Sequence, residues 1–94
     1  MLTDREKNIF RVILSSRRPV KVNEIYPELN WKINEESKRK SCYCILNRLI
    51  DRGLIVEKDL YNIKHFFPTY YGKVLYDIEI YERLKRIHDS YRIS

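Results

Sequence analysis

Residues 37–56 read SKRKSCYCILNRLIDRGLIV, and this stretch decides the fold. Apolar residues recur along it at helical spacing, whereas the positions between them are mostly polar or basic. Gly53 is a typical helix terminator, and the apolar, β-branched residues after it favour a strand. The sequence therefore predicts a helix over 37–52 with one buried and one exposed face. The buried positions are Cys42, Ile45, Leu46, Leu49 and Ile50, and the exposed ones are Lys40, Ser41, Cys44, Asn47, Arg48 and Asp51.

Two shorter helices are predicted before this one. Thr3 or Asp4 can cap the first, and Pro19 ends it because proline cannot continue the hydrogen-bond ladder. Pro27 interrupts the second helix, which therefore either starts late or is kinked. The inner faces consist of Ile9, Phe10, Ile13 and Leu14 in the first helix and of Val22, Ile25, Tyr26 and Leu29 in the second.

A β-hairpin and a long helix are predicted after Gly53. The hairpin has strands over 54–56 and 65–67 and a turn over 59–62, and Thr69 caps the last helix. The fold class is thus mainly α with a small β-hairpin (α+β), in the order helix, helix, helix, strand, strand, helix. Three helices that close on a two-stranded wing form the winged helix-turn-helix arrangement. We expect a single domain, with residues 1–69 as the winged helix and residues 70–94 as its C-terminal helix.

The 94 residues carry a formal net charge of +6 at pH 7. Such a charge attracts polyanions, of which nucleic acid and anionic membrane are the main kinds. The basic residues do not line one face of a long amphipathic helix, which disfavours a membrane surface. The first residues are too polar for a secretory signal, and no apolar run approaches membrane-spanning length. We therefore expect a cytoplasmic protein that does not bind membranes.

Two segments resemble known transcription regulators. Residues 41–55, SCYCILNRLIDRGLI, resemble the recognition helix and first wing strand of MarR-like proteins. Residues 67–73, FPTYYGK, are similar to the segment that leaves the wing in the MarR and PadR families, and Leu2-Thr3 before an amphipathic helix also looks like MarR. BlaI-like repressors and small winged-helix proteins of archaea and their viruses share this outline. If the protein is viral, we expect it to act inside the host cell. The segment over 26–37 is longer than the family's tight turn, and the wing lacks a basic tip.

The resemblance implies binding of double-stranded DNA, with the helix over 37–52 in the major groove. Ser41, Tyr43 and Cys44 match the family's base-reading positions. For Tyr43, a place at the flank of the core is an equal alternative. The predicted DNA-binding residues are Lys38, Arg39, Lys40, Ser41, Tyr43, Cys44 and Arg48 in the helix and Lys58, Tyr61, Asn62 and Lys64 in the wing.

The basic run over 38–40 lies at the start of this predicted helix. Positive charge at a helix N-terminus opposes the macrodipole, and phosphates drawn there would compensate for it. The alternative is an ordinary solvated face. Arg48 is expected to contact phosphate, and the wing residues are either phosphate contacts or ordinary turn residues. Between the first two helices, Arg17, Arg18 and Lys21 meet either DNA backbone or solvent.

No catalytic or metal-binding set is found in the sequence. His65 and His88 have no ligand partners at suitable spacing, and Cys42-x-Cys44 lacks the spacing of a zinc site. We expect no enzyme activity, no metal and no cofactor. Cys42 is interpreted as a small buried hydrophobe. Cys44 points outward and is either an inert thiol or a redox sensor.

The last helix carries more apolar residues than so small a core can cover. One stripe runs through Val74, Ile78 and Tyr81, and we expect one stripe to face the core and the other a second copy of the chain. The second stripe consists of Tyr76, Ile80, Leu84, Ile87 and Tyr91. The homodimer interface is predicted at Ile80, Leu84, Ile87 and Tyr91. The function predicted is a homodimeric transcription regulator. The rival function is a winged helix that binds another protein, which would expose an apolar patch on the third helix or the wing.

Overall fold

The computed structural model describes residues 2–91, the last of them by its backbone alone. The predicted order of elements and the α+β class are confirmed. The elements are helix α1 (Asp4–Ser15), helix α2 (Val22–Ile25) with a 3₁₀ turn (Tyr26–Glu28), helix α3 (Glu35–Asp51), strand β1 (Ile55–Leu60), strand β2 (Ile63–Pro68) and helix α4 (Tyr70–Tyr91).

Thr3 caps α1 through a reciprocal pair of hydrogen bonds. The Glu6 amide donates to the Thr3 hydroxyl at 3.2 Å, and the Thr3 amide donates to the Glu6 carboxylate at 2.9 Å. Two of the amides that lack a partner at a helix N-terminus are satisfied in this way. The cap is thus Thr3 rather than Asp4, and it places the Glu6 carboxylate inside the protein.

Pro27 separates α2 from the residues that follow it. The helix has only four residues, and Pro27 lies at the start of the 3₁₀ turn, where its missing amide hydrogen does little harm. Its apolar residues Val22, Ile25 and Leu29 are buried and Tyr26 is half-buried, so the predicted inner face is confirmed.

Helix α3 starts two residues earlier than predicted, at Glu35, and ends one residue earlier than predicted, at Asp51. Asn34 is the cap, because its side chain accepts a hydrogen bond from the Ser37 amide at 2.8 Å. Glu35 and Glu36 fill the first turn, where carboxylates suit the helix dipole. The basic run over 38–40 therefore lies in the second turn. The prediction that it opens the helix is wrong, because Asn34 and the two glutamates form a better start.

The hairpin is longer than predicted, with a two-residue turn. Tyr61 and Asn62 have φ values of 55° and 65°. Two consecutive positive values match the twist of the flanking antiparallel strands. The register pairs Leu60 with Ile63 and Ile55 with Pro68. The predicted turn over 59–62 was therefore too wide by two residues.

Two backbone hydrogen bonds join the segment between α1 and α2 to the hairpin. The Val20 amide donates to the Phe66 carbonyl at 2.9 Å, and the Phe66 amide donates to the Val20 carbonyl at 2.8 Å. Val20 and Phe66 are both buried. The bridge adds a one-residue third strand beside β2, which the sequence analysis did not predict.

Helix α4 begins against the core and then leaves it. Thr69 caps it as predicted, since its hydroxyl accepts from the Gly72 amide at 2.9 Å. A Cβ at Gly72 would lie 2.3 Å from the Leu54 carbonyl oxygen, so glycine permits this close approach. Leu75 and Tyr76 pack on the core, whereas residues 80–90 are all exposed.

The two stripes of α4 do not divide as predicted. Val74, Ile78 and Tyr81 are exposed, and Tyr76 is the one member of the second stripe that reaches the core within the described side chains. The expectation that a whole stripe faces the core is wrong, because the helix runs past the end of the core after its third turn. The buried core consists of Ile9, Phe10, Ile13, Val20, Val22, Ile25, Leu29, Cys42, Ile45, Leu46, Leu49, Leu54, Ile55 and Phe66.

Candidate nucleic-acid interface

Helix α3 is fixed to the core by one face and is open to solvent on the other. Its predicted inner positions are buried, apart from Ile50, which is half-buried. The predicted outer positions are exposed, apart from Ser41, which is half-buried. The helix is thus a rigid support for outward side chains. The exposed ones are Arg39, Lys40, Tyr43, Cys44, Asn47, Arg48 and Asp51.

The basic run lies in the second turn of α3, on a helix whose N-terminus is already neutralised. Glu35 and Glu36 are both exposed in the first turn, and they complement the dipole without any ligand. The premise that these cations open the helix against its dipole is therefore wrong, while the contact with phosphate stays a prediction. Within the basic run, Arg39 and Lys40 are exposed to solvent and Lys38 is half-buried. Arg39 and Lys40 are therefore accessible to an external anion.

Arg39 and Lys40 differ in their partners. The Lys40 ammonium lies 3.4 Å from the Glu36 carboxylate, one helical turn away, and both side chains are more than three-quarters exposed. The Arg39 guanidinium lies over the ring of Tyr43 at 6.0 Å, and it forms no ion pair with any described residue. Arg39 is therefore the cation of this run that is most available to an external anion.

Tyr43 lies on the surface and not at the flank of the core. Its side chain is 41% exposed, next to Arg39 on the outer face of α3. Tyr43 is not among the residues that pack against the core, and its contact with DNA stays a prediction. Arg39, Tyr43 and Cys44 therefore share one exposed patch, with the half-buried Lys38 and Ser41 at its border.

Arg48 has a partner inside the protein that the sequence analysis missed. Its guanidinium lies 3.7 Å from the carboxylate of Glu6, and that of Arg52 lies 3.5 Å from the same group. Glu6 is buried, with a side chain only 2% exposed. The hydrogen bond from the Thr3 amide is the main cause that lowers the pKa of Glu6, and Arg52 and Arg48 lower it further.

The ion pair directs Arg48 towards the core side of the helix. Arg48 lies one turn after Cys44, about 6 Å along the helix axis. Its guanidinium is paired with the Glu6 carboxylate at the start of α1. Arg48 thus joins the end of α3 to α1, and it is left out of the DNA contacts proposed below. A glutamate three residues after a capping threonine is the one sequence signal that pointed to a buried carboxylate here.

The hairpin, which is the predicted wing, has a balanced charge. Glu57 and Asp59 alternate with its lysines, and the Lys64 ammonium lies 3.3 Å from the Glu57 carboxylate across the two strands. Lys58 is exposed opposite His65. At the tip, Tyr61 is 96% exposed and Asn62 is exposed beside it. The predicted wing residues are therefore all accessible, and of their two lysines Lys64 pairs with a carboxylate whereas Lys58 forms no ion pair with a described residue.

The two thiols lie in opposite environments. Cys42 is fully buried, and burial raises the pKa of its thiol to about 12. Cys44 is exposed two residues later on the outer face of α3. Within residues 2–90, no three side chains of His, Cys, Asp or Glu come close enough to hold a metal ion.

Comparison of the chain with protein-family models, with curated proteins and with solved structures gives no match. None of the helices in the described part of the chain is both long and apolar enough to cross a membrane.

Proposed function

We propose that the protein binds double-stranded DNA as a winged-helix transcription regulator, with α3 in the major groove. The observation that carries this proposal is the outer face of α3. Its inner face is locked in the core, while Arg39, Lys40, Tyr43 and Cys44 project outward from the first half of the helix. A helix about 10–12 Å wide with its side chains fits the major groove, and such outward residues reach base edges and phosphates.

The layout of the elements supports the same proposal. Helices α1 and α3 pack against the hairpin, α2 packs against both of these helices, and the Val20 bridge adds a short third strand between α1 and α2. Such a set of elements is compatible with a winged helix, and the MarR-like and PadR-like pattern of residues 41–55 and 67–73 fits it.

Arg39 and Lys40 are assigned to phosphates in this proposal. Exposed ion pairs such as Lys40–Glu36 contribute about 0–1 kcal/mol, so Lys40 can leave Glu36 for a phosphate at little cost. Ser41, Tyr43 and Cys44 are assigned to base edges, since a hydroxyl serves any base and an aromatic ring can contact a thymine methyl. Lys38, Lys58, Tyr61, Asn62 and Lys64 are secondary contacts to the DNA backbone.

Self-association through α4 completes the proposal. Ile80, Leu84 and Ile87 are 38%, 60% and 49% exposed, a clear excess of apolar surface for one helix. Contiguous apolar surface of this kind marks interaction sites. A twofold pair would present two α3 helices to two half-sites, as dimeric helix-turn-helix proteins do. The fourth predicted interface residue, Tyr91, has its side chain outside the described residues.

A salt titration with a fluorescent duplex tests DNA binding. The logarithm of affinity falls with the logarithm of salt concentration by about 0.9 per neutralised phosphate. Arg39→Ala should weaken binding to all duplexes and lower that slope by about one unit. The matched control is Arg11→Ala, which removes an exposed arginine from α1. Equal effects of the two variants would overturn the role of α3.

Tyr43→Ala separates the two candidate functions. If Tyr43 contacts bases, the variant loses preference for the operator over a random duplex by about 1–3 kcal/mol and keeps the parent's salt slope. A protein-binding module would show no sequence preference in the parent at all. Among the described residues the hairpin exposes the apolar side chains of Val56, Tyr61 and Ile63, which is the signature named for the rival, so the titration with Tyr43→Ala has to decide between the two functions.

A further inference from the structure

A basic groove lies between the end of α1, the hairpin and the start of α4. It has a volume of about 530 Å³. Half-buried apolar side chains form its floor, and four cations stand around its rim. The floor consists of Leu14, Pro19, Leu60, Phe67 and Pro68, and the rim of Arg17, Arg18, Lys58 and Lys73.

Strand alternation places this groove away from the core side of the hairpin. Ile55 and Phe66, whose side chains enter the core, belong to one face of the two strands. Lys58 and Phe67 have the opposite parity and belong to the other face. None of the described residues that line the groove belongs to α3, so the groove is separate from the exposed patch of that helix.

The charges of the rim are poorly compensated. Among the described residues that line the groove there is no carboxylate. Arg18 donates to Glu24 of α2, outside the lining, and this pair lowers the pKa of Glu24. Arg17, Lys58 and Lys73 form no ion pair with a described residue. Cations gathered from three elements repel one another unless an anion joins them.

We propose that the basic groove binds a small phosphate ester that carries a flat apolar group. The phosphate accepts hydrogen bonds from the rim cations, because arginine and lysine are the usual protein donors to phosphate. The flat group lies against Phe67 and the two prolines of the floor. Ligand pockets commonly combine such an apolar lining with a few charged groups, in volumes of about 300–1,000 Å³. This inference does not depend on the proposed DNA binding.

Phenyl phosphate is the probe that tests the proposal, followed by amide shifts in two-dimensional NMR at low salt. We expect saturable shifts concentrated in residues 14–19, 58–60 and 67–73. Inorganic phosphate should bind at the same residues about tenfold more weakly, since it lacks the ring. Phenol, which lacks the charge, should show no saturation. Equal affinity for phenyl phosphate and inorganic phosphate would remove the apolar floor from the proposal.

Two double variants separate a site from a diffuse charge effect. Lys58→Gln/Lys73→Gln should weaken phenyl phosphate binding about tenfold, because two donors to the phosphate are lost. The control, Lys32→Gln/Lys85→Gln, removes two exposed lysines outside the groove and should bind like the parent. Equal weakening in both doubles, or shifts spread over all exposed lysines, would overturn the proposal. Arg39→Ala should leave this affinity unchanged whether or not the protein binds DNA.

Discussion

The guanidinium of Arg52 lies 3.5 Å from the buried carboxylate of Glu6 and joins the end of α3 to the start of α1. Arg48 reaches the same carboxylate from one turn earlier, and the Thr3 amide occupies one of its oxygens. One acidic side chain therefore serves two purposes. It caps α1, and it holds in place the helix whose outer face is proposed to meet DNA.

Glu6→Gln should destabilise the protein by about 1–3 kcal/mol, because it leaves two arginines without their shared counter-ion and weakens a capping interaction. The value stays below that for a fully buried pair, since Arg48 and Arg52 are about half exposed. Urea denaturation measures it. Glu36→Gln, which breaks an exposed pair, is the control and should change stability little. Equal losses of unfolding free energy in the two variants would mean that the buried Glu6 pair stabilises the protein no more than an exposed ion pair does.

The contribution of Glu6 should disappear in acid. Its pKa in the folded protein is lowered from the ordinary value of 4.5, so the stabilisation is fully present above that value. It is lost as the pH falls below 4.5 through the folded pKa. The difference in stability between the parent and Glu6→Gln should thus be constant from pH 7 to about pH 5 and shrink at lower pH. Urea denaturation at a series of pH values measures this difference. A difference between the parent and Glu6→Gln that stays constant below pH 4.5 would show that the Glu6 carboxylate is not responsible for it.

The two cysteines should react at very different rates. Burial raises the pKa of Cys42 to about 12, so almost no thiolate forms there at neutral pH. Cys44 is exposed and should be alkylated in the folded protein. Mass spectrometry after brief iodoacetamide treatment should find one label in the parent and none in Cys44→Ser. A label on Cys42 in the folded state would show that α3 is rotated relative to the structure described above.

Leu84→Glu should abolish the homodimer that we propose. A carboxylate would have to be buried in the apolar surface formed with Ile80 and Ile87, and this is unfavourable without a partner. Sedimentation velocity at micromolar concentration measures the change. The matched control is Ser90→Glu, which adds the same charge about 120° away around the helix, with 100° per residue. A parent that sediments only as an 11.6 kDa species would contradict the dimer.

The sequence predicts the elements well wherever one local pattern controls them. The inner face of α3, the cap at Thr69 and the interruption at Pro27 all depend on residues close together in the chain, and all three are found. The start of α3 is also set locally, by Asn34 as the cap, but the prediction began the helix at residue 37 and did not include this cap.

Most features that the sequence did not predict depend on residues far apart in the chain. The Glu6–Arg48 pair joins the first helix to the end of the third. The Lys64–Glu57 pair depends on a strand register that the turn at Tyr61 and Asn62 sets. The basic groove combines residues from three elements, and its members have no common spacing. A single sequence contains no signal for such contacts.

The bridge between Val20 and Phe66 affects how the molecule can open. Its two hydrogen bonds close a loop of chain that contains α2, α3 and β1. Separating the bridged residues would also expose buried side chains of the common core. We therefore expect helix α3 to unfold together with the sheet and not by itself. The turn at Tyr61 and Asn62 lies inside the same closed loop, so adjustment of the proposed DNA-reading surface has to come mainly from side-chain rotamers.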